Sequence, residues 1–140
     1  MSRLILPLPG NEPFAAQLAD ALDACPQAVM AYTDEALTGE NGQDIAVRRL
    51  AYSRWQHANS ASHVHGLIVM RRSVVEAVLK ETTDLNNFAD WLLTLLVAKR
   101  GGVLYLPIVG RHWRQHPQQS HRTGDPEAVR RIRHASNLWR

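Results

Sequence analysis

The sequence predicts an α/β fold, a mixed sheet with flanking helices. Three observations predict it. Short apolar runs recur along the chain, "RLILPL", "AVMAY", "GLIVM" and "VLYLPIV", each of strand length. Segments with helical spacing of apolar residues lie between them. The order from the start is strand, helix, strand, the alternation from which α/β layers are built. With 140 residues, 45% hydrophobic and 21% charged, the chain has the composition and length of one domain able to bury a core.

"RLILPL" is the first strand and "PGN" breaks it. From Glu12 the pattern is helical, with Phe14, Leu18, Ala21 and Leu22 on one face, Asn11 as N-cap and Pro13 in the first turn. "CPQ" ends the helix. "AVMAY" is the second strand, followed by a polar loop, "TDEALTGENGQD", with the turn signal Asn41-Gly42. "IAVRRLAYSRW" reads equally as strand or short helix. "GLIVM" is a buried strand, and "SVVEAVLKE" a helix capped by Ser73. "NNFADWLLTLLVAKRGG" is the clearest helix. Asn86 or Asn87 caps it, Phe88, Leu92, Leu95 and Leu96 supply its apolar face, and Lys99-Arg100-Gly101 closes it. "VLYLPIV" is a strand with a proline near its end. Asp125-Pro126 opens a final helix. The expected division is an α/β domain over 1–122 and a basic C-terminal helix within 123–140.

The formal charge of +3 is unevenly placed. Residues 1–110 hold nine Lys and Arg against eleven Asp and Glu. Residues 111–140 hold seven Arg against Asp125 and Glu127, with four of the seven His. A basic end suggests an anionic partner, and its bland counterpart is a solvated arginine helix. Nucleic acid is disfavoured, because the basic residues are not interleaved with aromatics over a sheet face. The single cysteine, Cys25, excludes an internal disulfide and a cysteine zinc cage. The longest apolar stretch, 91–98, is far short of the ~20 residues that span a bilayer. A soluble, cytoplasmic protein is expected.

The common chemical signatures are missing: no glycine-rich phosphate loop, no Gly-x-Ser-x-Gly elbow, no His-Glu-x-x-His. "SHVHG" places His63 and His65 two apart, a possible metal pair if on a strand and otherwise structural. "YTDE" puts Asp34 and Glu35 at the carboxyl end of a strand, where ligands bind in α/β sheets. Asp90, in the first turn of the strongest helix, either favours the helix dipole or accepts a proton in a cleft. "GRHWRQHPQQSH" crowds His, Arg and Gln around Trp113, too polar for a buried strand.

The order "P-x-A-x-x-A-Y-T-D-E", then "GLIVMRRSVVEAV", then "FADWLLTLLVAKRGGVLYLPIVGRHWRQHPQQS" resembles the C-terminal half of a family 2 glycosyltransferase domain of the GT-A fold, over roughly Leu4 to Ser120. The resemblance implies a catalytic base at Asp90. It implies an acceptor side formed by Arg71, Arg72 and Asp34. It also implies a nucleotide-sugar or phosphate site made by Arg114, His112, His116 and Trp113. The family's Asp-x-Asp metal motif corresponds to Pro9-Gly10-Asn11 here, followed by Glu12. Only Asn11 and Glu12 then offer ligands to a divalent ion such as Mn or Mg. The family's nucleotide-binding N-terminal half has no counterpart. The chain is thus expected to act with a partner chain, or to form a homo-oligomer through an uncovered sheet edge. A non-catalytic homologue serving as a protein-interaction or anion-binding module is the alternative. "LILPLPGNEPFAAQLADAL" also resembles the start of ribose-phosphate pyrophosphokinases, but only to about residue 22.

Overall fold

A computed structural model describes residues 3–5, 12–82 and 89–114. The elements are β1 (Arg3–Ile5), α1 (Glu12–Ala24), β2 (Ala28–Thr38), β3 (Asp44–Arg48), α2 (Arg54–Asn59), β4 (Ile68–Arg71), α3 (Arg72–Glu81), α4 (Ala89–Ala98) and β5 (Gly102–Arg114). They form one mixed sheet with helices on both faces.

β2 is the axis of that sheet. Along one edge it pairs in parallel with β5. Along the other it pairs antiparallel with β4 over Met30–Tyr32, then with β3 over Glu35–Thr38. β1 continues the sheet beyond β4, antiparallel to it. β1, β2 and β5 therefore run one way, and β3 and β4 the other.

Burial follows the pleat. Ala28 and Ala31 join Leu67 and Val69 under Ala15, Leu18 and Leu22 of α1. Met30 and Tyr32 pack on the opposite face with Val75 and Val78 of α3 and Val97 and Ala98 of α4. α4 is apolar nearly all round, and Trp91, Leu92 and Leu95 close on Ala58 of α2.

The structure departs from the sequence reading in four places. "TDEALT" is not loop: β2 continues through Thr38, and only Gly39–Gln43 turns, with Gly42 at φ +82. The ambiguous segment divides into strand β3 and, after a break, helix α2, whose N-cap Ser53 accepts a hydrogen bond from the Gln56 amide at 3.2 Å. Ser73 does not cap α3: the helix starts at Arg72, and its N-cap Arg71 makes no side-chain cap. "GRHWR", for all its polarity, is the end of strand β5. β5 reaches that length by bulging: Thr33 pairs with Leu106, Asp34 with Val109 and Glu35 with Arg111. Pro107, without an N–H for the ladder, lies in the first irregularity. Gly110 lies in the second, where a Cβ would come within 2.5 Å of Thr33 Oγ1. Asn86, Asn87, Phe88 and the C-terminal helix within 123–140 lie outside the described residues.

Arg71 holds the far end of this architecture together. Its buried guanidinium donates through Nε to the Ala28 carbonyl and through Nη2 to the carbonyls of Leu22 and Cys25. A positive charge thus meets the orphan carbonyls at the C-terminus of α1. Arg71→Met is expected to lower unfolding stability by about 3 kcal/mol, since buried carbonyls lose a charged donor. Exposed Arg72→Met should change it by less than about 0.5 kcal/mol. Urea unfolding of the two variants checks the contrast, and equal effects would refute it.

Candidate functional site

The carboxyl ends of β1, β2 and β5 lie at one end of the sheet. α1 and α4 each feed a parallel strand through a short turn, so their N-termini lie at that end too. This end collects Glu12, Asp34, Glu35, Asp90 and the His112–Arg114 segment. The register of β5 against β2 sets His112 beside Ala36, Trp113 beside Leu37 and Arg114 beside Thr38.

Asp34 and Glu35 are both buried and, as neighbours on a strand, turn to opposite faces. On the α4 face the Tyr105 hydroxyl donates to Asp34 Oδ1, and Arg49 Nε stands 3.7 Å from Oδ2. Holding that hydrogen bond pushes the Tyr105 hydroxyl pKa up. On the other face Arg48 Nη1 lies 3.2 Å from Glu35 Oε1, and the Arg48 guanidinium sits 5.3 Å from the centroid of the Trp113 ring.

A buried polar network joins Asp34's face to α4. The Tyr32 hydroxyl donates to the Leu50 carbonyl and its ring meets Tyr52, His65 and Tyr105. Burial drives the Tyr32 pKa up, and the Tyr52 pKa up to about 12. Thr94 Oγ1 donates to the Trp91 carbonyl and therefore accepts from His57 Nε2, 3.0 Å away. His57 Nδ1 is left with a lone pair, which accepts the Tyr52 hydroxyl at 2.9 Å. Trp91 Nε1 donates to the His57 carbonyl. α2 is thus locked to α4 from both its side chain and its backbone, just below Asp90.

The sequence-predicted residues divide clearly. Asp90 is exposed at the start of α4, its Oδ1 accepting the Trp91 amide at 2.9 Å. His112 and Arg114 are exposed on β5, and Trp113 is half-buried. Arg71 and Arg72 do not belong with them. β4 runs antiparallel to β2, so its last residues come beside Ala28, about 20 Å of strand away from Asp34. The expected acceptor side therefore reduces to Asp34. His63 and His65 form no metal pair, because their segment is a turn rather than a strand. His63 Nε2 accepts the Ser53 amide, and His65 Nδ1 donates to the carbonyls of His63 and Ser62. Asn11 and His116 lie outside the described residues, and Glu12 is placed only as the first residue of α1. Among the described residues no group of three or more His, Cys, Asp and Glu is arranged to hold a metal ion. Sequence reading missed Arg48, Arg49, Tyr105, Tyr52 and His57. The "RR" of "AVRRLAY", following a carboxylate pair by one strand and a turn, was the available signal for the first two. The chain matches no protein-family model, and no curated protein is significantly similar to it.

His57 gives the site a pH signature. Burial, with His63 adding to it, lowers its pKa to about 3 from an ordinary 6.5. The unfolded chain therefore binds a proton that the folded chain refuses between those values. This contribution is full above pH 6.5 and is lost as pH falls toward 3. His63, lowered by burial and then by His65, acts in the same direction. Between about pH 7 and pH 5 unfolding stability should drop by roughly 2 kcal/mol. Urea titrations across that range test it. A flat profile, or an NMR titration of His57 near its ordinary value, would overturn the assignment.

Proposed function

We propose that this domain is the acceptor and phosphate side of a glycosyltransferase that uses a nucleotide-sugar. The observation that carries the reading is the β5 register. It brings His112, Trp113 and Arg114 alongside β2 just past Asp34 and Glu35, at the sheet end where α4 presents Asp90. Three pieces that the sequence spreads over eighty residues thus share one end of the sheet. The mixed α/β architecture supports the reading, and the GT-A resemblance supplies the chemistry.

In this reading Asp90 takes the proton from an acceptor hydroxyl as that oxygen attacks the anomeric carbon of the donor. The bond from that carbon to the diphosphate breaks, and the diphosphate leaves with the electron pair. Arg114 meets it in fork geometry, and His112 donates to it. Asp34, fixed by Tyr105, orients the acceptor hydroxyl from the floor of the site. Trp113, held under Arg48, keeps the strand that carries Arg114 in place. Asp34 and Glu35 face opposite ways and already have arginine partners. The described residues therefore do not build a cage for Mn or Mg, and charge on the leaving group is assigned to Arg114. None of the described residues is assigned to the nucleoside.

A second reading, an anion-binding module without catalysis, is favoured by one observation. Arg49 pairs with Asp34, one of the two carboxylates that the transferase reading uses.

Two substitutions separate the readings. Arg114→Ala should weaken binding of a nucleoside diphosphate by about 1.5–3 kcal/mol, the scale of a hydrogen bond to a charged group, with little change in unfolding midpoint. Asp90→Asn should leave that binding intact and abolish release of nucleoside diphosphate from a panel of nucleotide-sugars. Binding without release from any donor in the wild type selects the module. Absence of binding to the wild type at millimolar ligand rejects both.

A further inference from the structure

The segment from β3 to α2 carries an exposed face that neither the core nor the proposed site accounts for. Ile45 is 55% exposed, Val47 43%, Leu50 37% and Trp55 66%. Large apolar groups gathered within eleven residues are unusual on a surface without a partner. They lie on β3 and in the segment that follows it. Ile45 sits at the irregularity where Ala46 pairs with Leu37 and Asp44 with Thr38. Val47 pairs with Ala36, which lies on the Asp34 and Tyr32 side of β2. Leu50 lies on that side too, since its carbonyl takes the Tyr32 hydroxyl. Trp55 opens the helix that follows, with His57 and Ala58 turned inward and Trp55 outward.

Basic residues are threaded through this face. Arg49 exposes 67% of its side chain, and Arg54 precedes Trp55 on the surface. Arg111 and Arg114 are exposed on β5 at the same end of the sheet. The acidic residues of the hairpin, Glu40 and Asp44, stay at its tip.

We propose that the face formed by Ile45, Val47, Leu50 and Trp55 docks on an anionic phospholipid surface. Aliphatic side chains and a tryptophan would enter the headgroup region, and Arg49 and Arg54 would meet lipid phosphates. Two other occupants fit less well. A second copy on a two-fold axis would bring these arginines against themselves. Nucleic acid would satisfy the arginines and leave Ile45, Val47 and Leu50 in water. The proposal does not depend on sugar transfer. If both hold, the acceptor hydroxyl belongs to a membrane-borne molecule.

The test is cosedimentation of the full chain with vesicles of phosphatidylglycerol mixed with phosphatidylcholine, against phosphatidylcholine alone. Binding is expected only with the anionic lipid, and brominated lipid should quench fluorescence that Trp55→Ala removes. Replacing Ile45, Val47 and Trp55 with Ser, or Arg49 and Arg54 with Gln, should each cut partitioning by about tenfold or more. Circular dichroism should stay at wild-type values for both variants, and the unfolding midpoint for the Ser variant; the Gln variant should unfold somewhat earlier, because Arg49 pairs with buried Asp34. No binding to the anionic vesicles overturns the proposal. So does binding that survives both replacements and disappears when Arg130, Arg131 and Arg133 become Gln. Concentration-dependent dimerisation abolished by the Ser variant would assign the face to a second copy instead.

Discussion

β2 carries Asp34 and Glu35 into the middle of a sheet, where both are buried. A carboxylate removed from water must be paired and hydrogen-bonded, or its burial costs several kcal/mol. Because neighbours on a strand face opposite ways, one partner cannot serve both. Each carboxylate therefore fixes a different part of the molecule. Glu35 calls for Arg48, directly across in the β2–β3 register, and Arg48 in turn covers Trp113 of β5. Asp34 calls for Tyr105 and Arg49. The segment after β3 thus folds back over β2 instead of extending past it. A strand that were apolar to its end would impose none of this.

The second consequence is a polar layer where a domain of this size usually has hydrocarbon. Tyr32, Tyr52, His57 and Thr94 are linked to Leu50, Trp91 and each other by hydrogen bonds whose donors and acceptors can all be assigned. Such networks specify geometry, since a shift of one member leaves another unsatisfied. Here they set the distance and angle between β2 and α4. Asp34 sits on the first element and Asp90 on the second, so the network positions the two acidic groups that the proposed reaction uses. Gly66 adds a close approach on the same strand. With φ +68 it brings its backbone against the Thr33 carbonyl, and a Cβ there would lie 2.6 Å away. Its neighbour Leu67 donates its amide to the Thr33 hydroxyl at 2.9 Å.

Much of the architecture was legible because local signals agreed with it. The strand cores "AVMAY", "GLIVM" and "VLYLPIV" are apolar, the helix over "ADWLLTLLVA" is unmistakable, and Asn41-Gly42 does turn the chain. The errors have a common cause. Polarity was read as exposure, so "TDEALT" was expected in a loop and "GRHWR" was judged too polar for a buried strand. Both are strand: Asp34 finds Tyr105 on β5 and Glu35 finds Arg48 on β3, pairings invisible to a local reading, and the polar side chains of "GRHWR" stay exposed on the sheet. Arg71 was misplaced for a related reason. Its position after a strand was apparent, but the direction of that strand was not. Antiparallel β4 carries it to the end opposite Asp34. Of the candidate residues, Asp34, Asp90, His112, Trp113 and Arg114 lie at one end of the sheet. Arg48, Arg49 and Tyr105 required the fold to be seen.

The charge arrangement at that end favours a particular kind of ligand. Asp34 lies buried on one face of that end and Glu35 on the other, each drawing one arginine inward. Beyond them, His112 and Arg114 stand exposed on one face of the end of β5, and Arg111 is exposed on the other. A neutral or cationic ligand entering here would meet arginine before it met carboxylate. A phosphate would meet its complement at the rim and need not displace Arg48 or Arg49 from the buried carboxylates. Glu35 holds Arg48 over the Trp113 ring and so steadies the strand that carries Arg114. An anion held by β5 as proposed would feel Glu35 only through structure, by way of the strand it steadies.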